Sequence, residues 1–240
     1  MTVTLLVLVA IMATVVWWLV RQTINVRPWI AQRPADNVYG DGALSLPPVK
    51  VGLGVFLAVA TSLFALLISA YFMRMEGADW TTLAVPRGLW LNTAALVLSS
   101  VAMQWTRVAA RRGRIDGVRI GLIVGGLFTF CFLAGQLWVW QQLNASGYFV
   151  AANPANAFFY LLTALHGLHL LGGLWVWGKT TAKVALGIDV GAVRLSVELC
   201  TVYWHYLLLV WLVLFALLLS TPARQSSCTP DTFAICGVTK

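Results

Sequence analysis

The sequence predicts an all-α, polytopic transmembrane bundle of six helices, and three observations predict it. Hydrophobic residues make up 60% of 240 positions and charged residues only 10%, and the mean hydropathy is +0.83, outside the range of a soluble domain. Six stretches approach or exceed the roughly 20 apolar residues that a helix needs to cross a bilayer. The basic residues then alternate from loop to loop, as they do when successive helices cross in opposite directions.

The expected spans are residues 3–20, 51–73, 89–105, 120–143, 158–178 and 195–220. The first is among the shortest, but no basic residue precedes it and no small-residue cleavage site follows, so it reads as a retained helix rather than a signal peptide. Residues 27–48 are rich in Pro, Asp, Asn and Gly and read as a linker. A block of five helices follows, with a short uncharged connection over 144–156 and no internal or inverted repeat. The organisation is thus an N-terminal helix (1–26), a linker (27–50), a five-helix core (51–220) and a tail (221–240).

Small residues punctuate these helices: Gly52 and Gly54 in the second, Gly121, Gly125 and Gly126 in the fourth, Gly167, Gly172 and Gly173 in the fifth. Such residues let helix backbones approach closely in lipid. Trp17, Trp18, Trp80, Trp90, Trp105, Trp175 and Trp177 lie near helix ends and fit interfacial belts. Both features indicate a helical membrane protein without indicating what it does.

The net charge of +8 invites a nucleic-acid reading, but its distribution excludes it. Twelve of the 16 Lys and Arg fall after the first, third and fifth spans (Arg21, Arg27, Arg33, Lys50; Arg107, Arg111, Arg112, Arg114, Arg119; Lys179, Lys183, Arg194), against Arg74, Arg87, Arg224 and Lys240 on the other side. The positive-inside rule then places both termini on the periplasmic side of a bacterial inner membrane. Cys131 and Cys200 lie within helices and read as small packing residues. Cys228 and Cys236 fall in the outside tail, where a disulfide between them and two free thiols are equally open.

Ionisable side chains in hydrocarbon are costly and mark function or assembly. The chain places four there: His166, His169, Glu198 and His205. His166 and His169 are three apart and share a helix face, so they cannot be the two axial ligands of one haem; a haem between His169 and His205 on neighbouring helices stays open. The blander alternative, hydrogen bonds to a neighbouring helix or to a lipid headgroup, is favoured because the chain holds only three histidines and no Cys/Met partner set. Glu198 is expected in the first turn of the last helix, where a carboxylate suits the helix N-terminus, with His205 seven residues on along the same face. A proton relay needs further acids, and the apolar parts of the second to fifth helices contain none. Asn92, Thr93, Ser99 and Ser100 read as packing groups that bond to an adjacent helix. No nucleophile with its base, phosphate loop or metal cluster is visible, so no catalytic, cofactor or metal residue is assigned.

Taken together, the run from Leu89-Trp-Leu-Asn92-Thr93 to Ser99-Ser100, the fourth helix with Gln136, His166-Gly-Leu-His169, and Glu198 followed by Tyr203-Trp204-His205 and Val210-Trp211 resemble subunit III of the haem-copper oxidases, the cytochrome c oxidase family. The resemblance covers residues 51–220 and leaves out the first helix and the tail. It implies a non-catalytic subunit: haems and copper reside in partner subunits, and this chain packs beside subunit I, with subunit II in the same complex, holds phospholipid in a cleft, and supports sustained proton uptake. The family motif residues are then structural, lipid-contacting or subunit-interface groups. Three departures each remove a membrane carboxylate, at Ala60, Val139 and Leu208, which argues against direct proton conduction by this chain. The alternatives are the related accessory protein of a nitric oxide reductase and an independent b-haem membrane protein.

Overall fold

The computed structural model describes residues 17, 48–77, 80, 86–187 and 190–220, and among them all regular structure is helical. Five helices follow in order: α1 (Pro48–Met75), α2 (Gly88–Arg111), α3 (Ile115–Ala145), α4 (Pro154–Ala185) and α5 (Val190–Ser220). They correspond to the second to sixth expected spans. The first expected span, apart from Trp17, lies outside the described residues, as do residues 27–47 and the tail with Cys228 and Cys236.

Four of these helices, α1, α3, α4 and α5, are long and apolar enough to cross a membrane. The second differs from expectation. Its 24 residues would extend about 36 Å at the usual rise, enough to span, but Asn92, Thr93, Ser99, Ser100 and Gln104 dilute the apolar run. It is packed against both α3 and α5, so most of that polar face is turned inward rather than toward lipid. All five helices also run past the apolar stretches that mark them in the sequence, because polar residues such as Arg107, Arg111 and Thr180 continue the helical backbone beyond the hydrocarbon zone.

The connections are tight where the sequence provides turn chemistry. Gly113 (φ 69°) sits between α2 and α3, and Gly187 (φ 75°) follows α4, both in the left-handed region that glycine enters without steric cost. Asn153 caps α4, its side chain accepting from the Ala155 amide at 3.1 Å, with Pro154 next, where a missing N–H costs nothing. The short connections over 112–114 and 146–153 set α2, α3 and α4 successively antiparallel.

Close packing follows the glycines only in part. On α3, Gly121 lies against Thr106 and Gly135 against Asn92 so closely that a β-carbon on either would overlap its neighbour, and Gly125 faces Met103 at 3.1 Å from such a position. This is why α2 and α3 form the most intimate helix pair. Gly126 similarly admits the Trp177 indole of α4, and Gly173 admits the Tyr203 ring of α5. Gly52, Gly167 and Gly172, expected to act likewise, face nothing within 4 Å. The belt assignment is also corrected at two tryptophans: Trp80 is buried against Tyr71 and Phe158, and Trp177 donates to the Leu122 carbonyl at 3.1 Å. Trp90, Trp105 and Trp175 are exposed. By contrast, α1 lies to one side and packs on α4 and α5.

Gly126→Leu is expected to lower the thermal midpoint of the detergent-solubilised protein through an overpacking cost of about 1–3 kcal/mol. Gly172→Leu, at a position with open space, should leave the midpoint unchanged. Equal midpoints for the two variants would show that Gly126 is not a contact point.

Candidate functional site

The family-type polar residues assemble along the seam where α2 and α5 run antiparallel. Glu198, Thr201, Trp204 and Trp211 recur at helical spacing, so they share one face of α5. Each meets a matching position on α2. Arg107 Nη2 donates to Glu198 Oε1 at 2.8 Å, Thr201 Oγ1 donates to the Met103 carbonyl at 3.1 Å, Trp204 Nε1 donates to Ser99 Oγ at 2.9 Å, and Trp211 Nε1 donates to Thr93 Oγ1 at 3.0 Å.

At its centre the seam recruits a third helix. Ser99 and Thr129 hydroxyls lie 2.8 Å apart, both reach the Gly125 carbonyl at 2.8 Å, and Trp204 Nε1 also lies 3.0 Å from Thr129 Oγ1. Ser99 and Thr129 are fully buried and Trp204 nearly so. One level away, Asn92 Nδ2 donates to Gln136 Oε1 at 3.1 Å. Tyr203 adds the fourth helix by donating to the His169 carbonyl at 2.8 Å. Pairing of this kind offsets the cost of burying polar groups in a medium without water.

Glu198 is more than a helix-end carboxylate. Helix α5 begins at Val190, so Glu198 lies over two turns in, beyond reach of the first-turn amides, and the expected N-terminal interaction is replaced by ion pairs. Arg107 (2.8 Å), Arg111 (3.2 Å) and Lys50 (3.5 Å) surround it, joining α1, α2 and α5. The carboxylate is a quarter exposed, so the cluster is stronger than isolated surface pairs, each worth about 0–1 kcal/mol.

The histidines do not converge. His166 is fully buried, its ring 5.3 Å from that of Trp211 and 5.9 Å from that of Phe132, and neither of its nitrogens has a partner among the described residues. His169 donates from Nδ1 to the Leu165 carbonyl at 2.8 Å and faces α1, between Phe56 and Phe64. His205 donates from Nδ1 to the Thr201 carbonyl at 2.7 Å but is exposed on the α2 side of α5. His169 and His205 therefore project to different sides, and the axial pair left open by the sequence is not assembled. Among the described residues no three His, Cys, Asp or Glu side chains gather as metal ligands.

Of the remaining sequence candidates, Ser100 lines a groove next to His205. Cys200 is buried beside Thr180 as a packing residue, whereas Cys131 is exposed on α3, contrary to expectation. Thr129, Thr201, Arg107, Arg111 and Lys50 were not anticipated as site residues. The spacing of Glu198, Thr201 and Trp204 carried a signal for Thr201; Thr129 and the three cations carried none, because their roles depend on which helices meet.

The model of the cytochrome c oxidase subunit III family matches residues 2–220, and so takes in the N-terminal segment that the residue resemblance left out. The chain is 30% identical to the probable cytochrome c oxidase subunit 3 of Nocardia farcinica over 173 residues, 70% of this chain and 85% of that protein. It is 29% identical to the probable cytochrome c oxidase subunit 3 of Mycobacterium bovis over 175 residues, 71% of this chain and 86% of that one. It is also 29% identical to the cytochrome c oxidase subunit 3 of Thermostichus vulcanus over 188 residues, 74% of this chain and 90% of that one. With its membrane-spanning helices and a family match over nearly its whole length, the chain belongs to the cytochrome c oxidase subunit III family.

Proposed function

We propose that this chain is the non-catalytic accessory subunit of an aerobic haem-copper terminal oxidase that passes electrons from cytochrome c to oxygen. In that role it binds subunit I, retains phospholipid, and sustains proton uptake and turnover without holding a redox centre. Haem and copper belong to subunits I and II. The observation that carries the reading is the use of the family-type polar residues: Asn92, Thr93, Ser99, Gln136, Tyr203, Trp204 and Trp211 bond to one another or to the backbone of this bundle. Residues engaged in this way maintain a shape rather than receive a substrate. The basic cluster of Lys50, Arg107 and Arg111 supports an orientation with that end of the bundle in the cytoplasm and both termini in the periplasm.

Affinity purification of the tagged chain in mild detergent tests the proposal. Larger subunits carrying haem and copper, together with oxygen uptake, are the expected companions. A chain that purifies alone, or with its own haem, would overturn it.

Two variants follow from the seam. Glu198→Gln leaves Lys50, Arg107 and Arg111 facing a neutral group, at a cost of about 1–2 kcal/mol, between the values for exposed and fully buried pairs. Its expected signature is weaker association with the complex or faster inactivation during turnover, with the initial oxygen-consumption rate and haem spectrum unchanged; an immediate loss of the haem spectrum would contradict this role. Trp204→Phe removes the shared donor but leaves Ser99 bonded to Thr129, so chemical denaturation in detergent should register a loss of only about 0.6–1.7 kcal/mol.

A further inference from the structure

Two side chains in one layer of the bundle hold buried hydrogen-bonding atoms that meet no partner among the described residues. His166 of α4 is fully buried and Gln136 of α3 is 5% exposed; both imidazole nitrogens and Gln136 Nε2 lack a hydrogen bond. Native interiors leave few such atoms unpaired. The register of α3 against α4 brings these two side chains together. Trp140 Nε1 of α3 donates to Thr163 Oγ1 of α4 at 3.2 Å. Gln136 stands one turn before Trp140 and His166 about one turn after Thr163; in an antiparallel pair both steps lead the same way along the bundle. The ring contacts agree. The centre of the His166 ring lies 5.9 Å from that of Phe132, which is one turn from Gln136 on the same face of α3, and 5.3 Å from that of Trp211 on α5.

Neighbouring groups fix what each side chain offers. Asn92 Oδ1 stands against Gly135 where a β-carbon would be, so it faces a Cα–H, a contact that suits an acceptor and not an N–H donor. Asn92 Nδ2 is thereby left to donate to Gln136 Oε1 at 3.1 Å, and Gln136 has only N–H donors to spare. His166 differs from His169 and His205, whose Nδ1 atoms return to the carbonyl one turn back at 2.8 and 2.7 Å. Its ring packs between Phe132 and Trp211 instead, and a neutral imidazole there offers one N–H and one bare nitrogen. Gln136 Nε2 and the bare nitrogen are thus donor and acceptor at one level, yet no direct bond joins them. Asn92, Phe132 and Trp211 carry no charge that would hold an ion. Water is the smallest ligand that accepts from one group and donates to the other, and buried waters occur where interior polar atoms are otherwise unsatisfied.

We propose that Gln136 and His166 form an internal water-binding site, in which one water accepts from Gln136 Nε2 and donates to the unprotonated imidazole nitrogen. The water extends the Asn92–Gln136 pair into a link running from α2 through α3 to α4. Helix α4 otherwise meets α3 through the Trp140–Thr163 and Trp177–Leu122 bonds, and the water adds a polar contact between those two levels. The site belongs to the fold of this chain and holds whichever complex the chain serves.

Two measurements on the full-length protein, purified with whatever accompanies it, test the site. An electron-microscopy or crystallographic map fine enough to show ordered water should carry a peak within about 3.2 Å of both Gln136 Nε2 and one His166 nitrogen. A direct bond between the two side chains, or a map showing other waters and none here, would overturn the proposal. The second measurement is a double-mutant cycle of thermal midpoints with His166→Phe and Gln136→Leu. Either change alone breaks the bridge, so each single variant should lower the midpoint and the double variant should lose less than the two losses added together. Additive losses would show that no shared ligand couples the pair. If the imidazole is instead a dry orphan, His166→Phe removes a buried polar group without a partner, and an unchanged or raised midpoint would overturn the water.

Discussion

In hydrocarbon a hydrogen-bonding side chain has only other protein groups to satisfy it, and the hydroxyl–indole knot of Ser99, Thr129 and Trp204 is where this bundle meets that constraint. Its three side chains come from three helices, and each depends on the other two being at the right depth. A shift of one helical turn in α5 would strand the indole N–H, and one in α2 would also part Ser99 from Thr129 and the Gly125 carbonyl. The knot therefore fixes depth as well as proximity, which apolar packing against equally apolar lipid does weakly.

The polar character of α2 makes sense in this light. By apolarity alone it is the least suited of the five helices to a bilayer, yet its polar groups bind both α3 and α5. Its Asn92 meets Gln136 of α3, its Thr93 meets Trp211, its Arg107 meets Glu198, and the glycines of α3 bring the backbones close enough for these short side chains to reach. The salt-bridge cluster at Glu198 closes the charged end and draws in Lys50 of α1. Elsewhere α1 is held by its buried Leu57, Ala60, Phe64 and Tyr71, by Thr61 with Tyr206, and by ring contacts of Phe64 with His169 and Tyr71 with Phe158, to which the cluster adds a charged contact at one end.

Much of the candidate site was legible as a set of residues and little of it as an arrangement. Asn92, Thr93 and Ser99 stand out as polar groups inside an apolar run, and Gln136, Trp204 and Trp211 through the family resemblance; the separation of seven from Asn92 to Ser99 and from Trp204 to Trp211 places each pair on a common face. Their pairings were not legible, since Ser99 and Thr129 or Thr93 and Trp211 are linked only through the depth at which separate helices meet. Glu198 shows the same gap. Its unusual place in an apolar run was evident, but its location two turns inside α5 depends on where the backbone becomes helical, upstream of the apolar run.

The sequence by itself determined the helical membrane class and the positions of the five described helices, because these follow from local apolarity, length and loop composition. It also determined the family, through polar residues whose types and spacing survive without coordinates. Only the tertiary structure decided which glycines admit a neighbour, that His166 is enclosed while His169 and His205 face different helices, and that one carboxylate joins three helices. Those properties depend on relative rotation and depth between helices, which are set by many contacts at once and leave no periodic trace in any one segment.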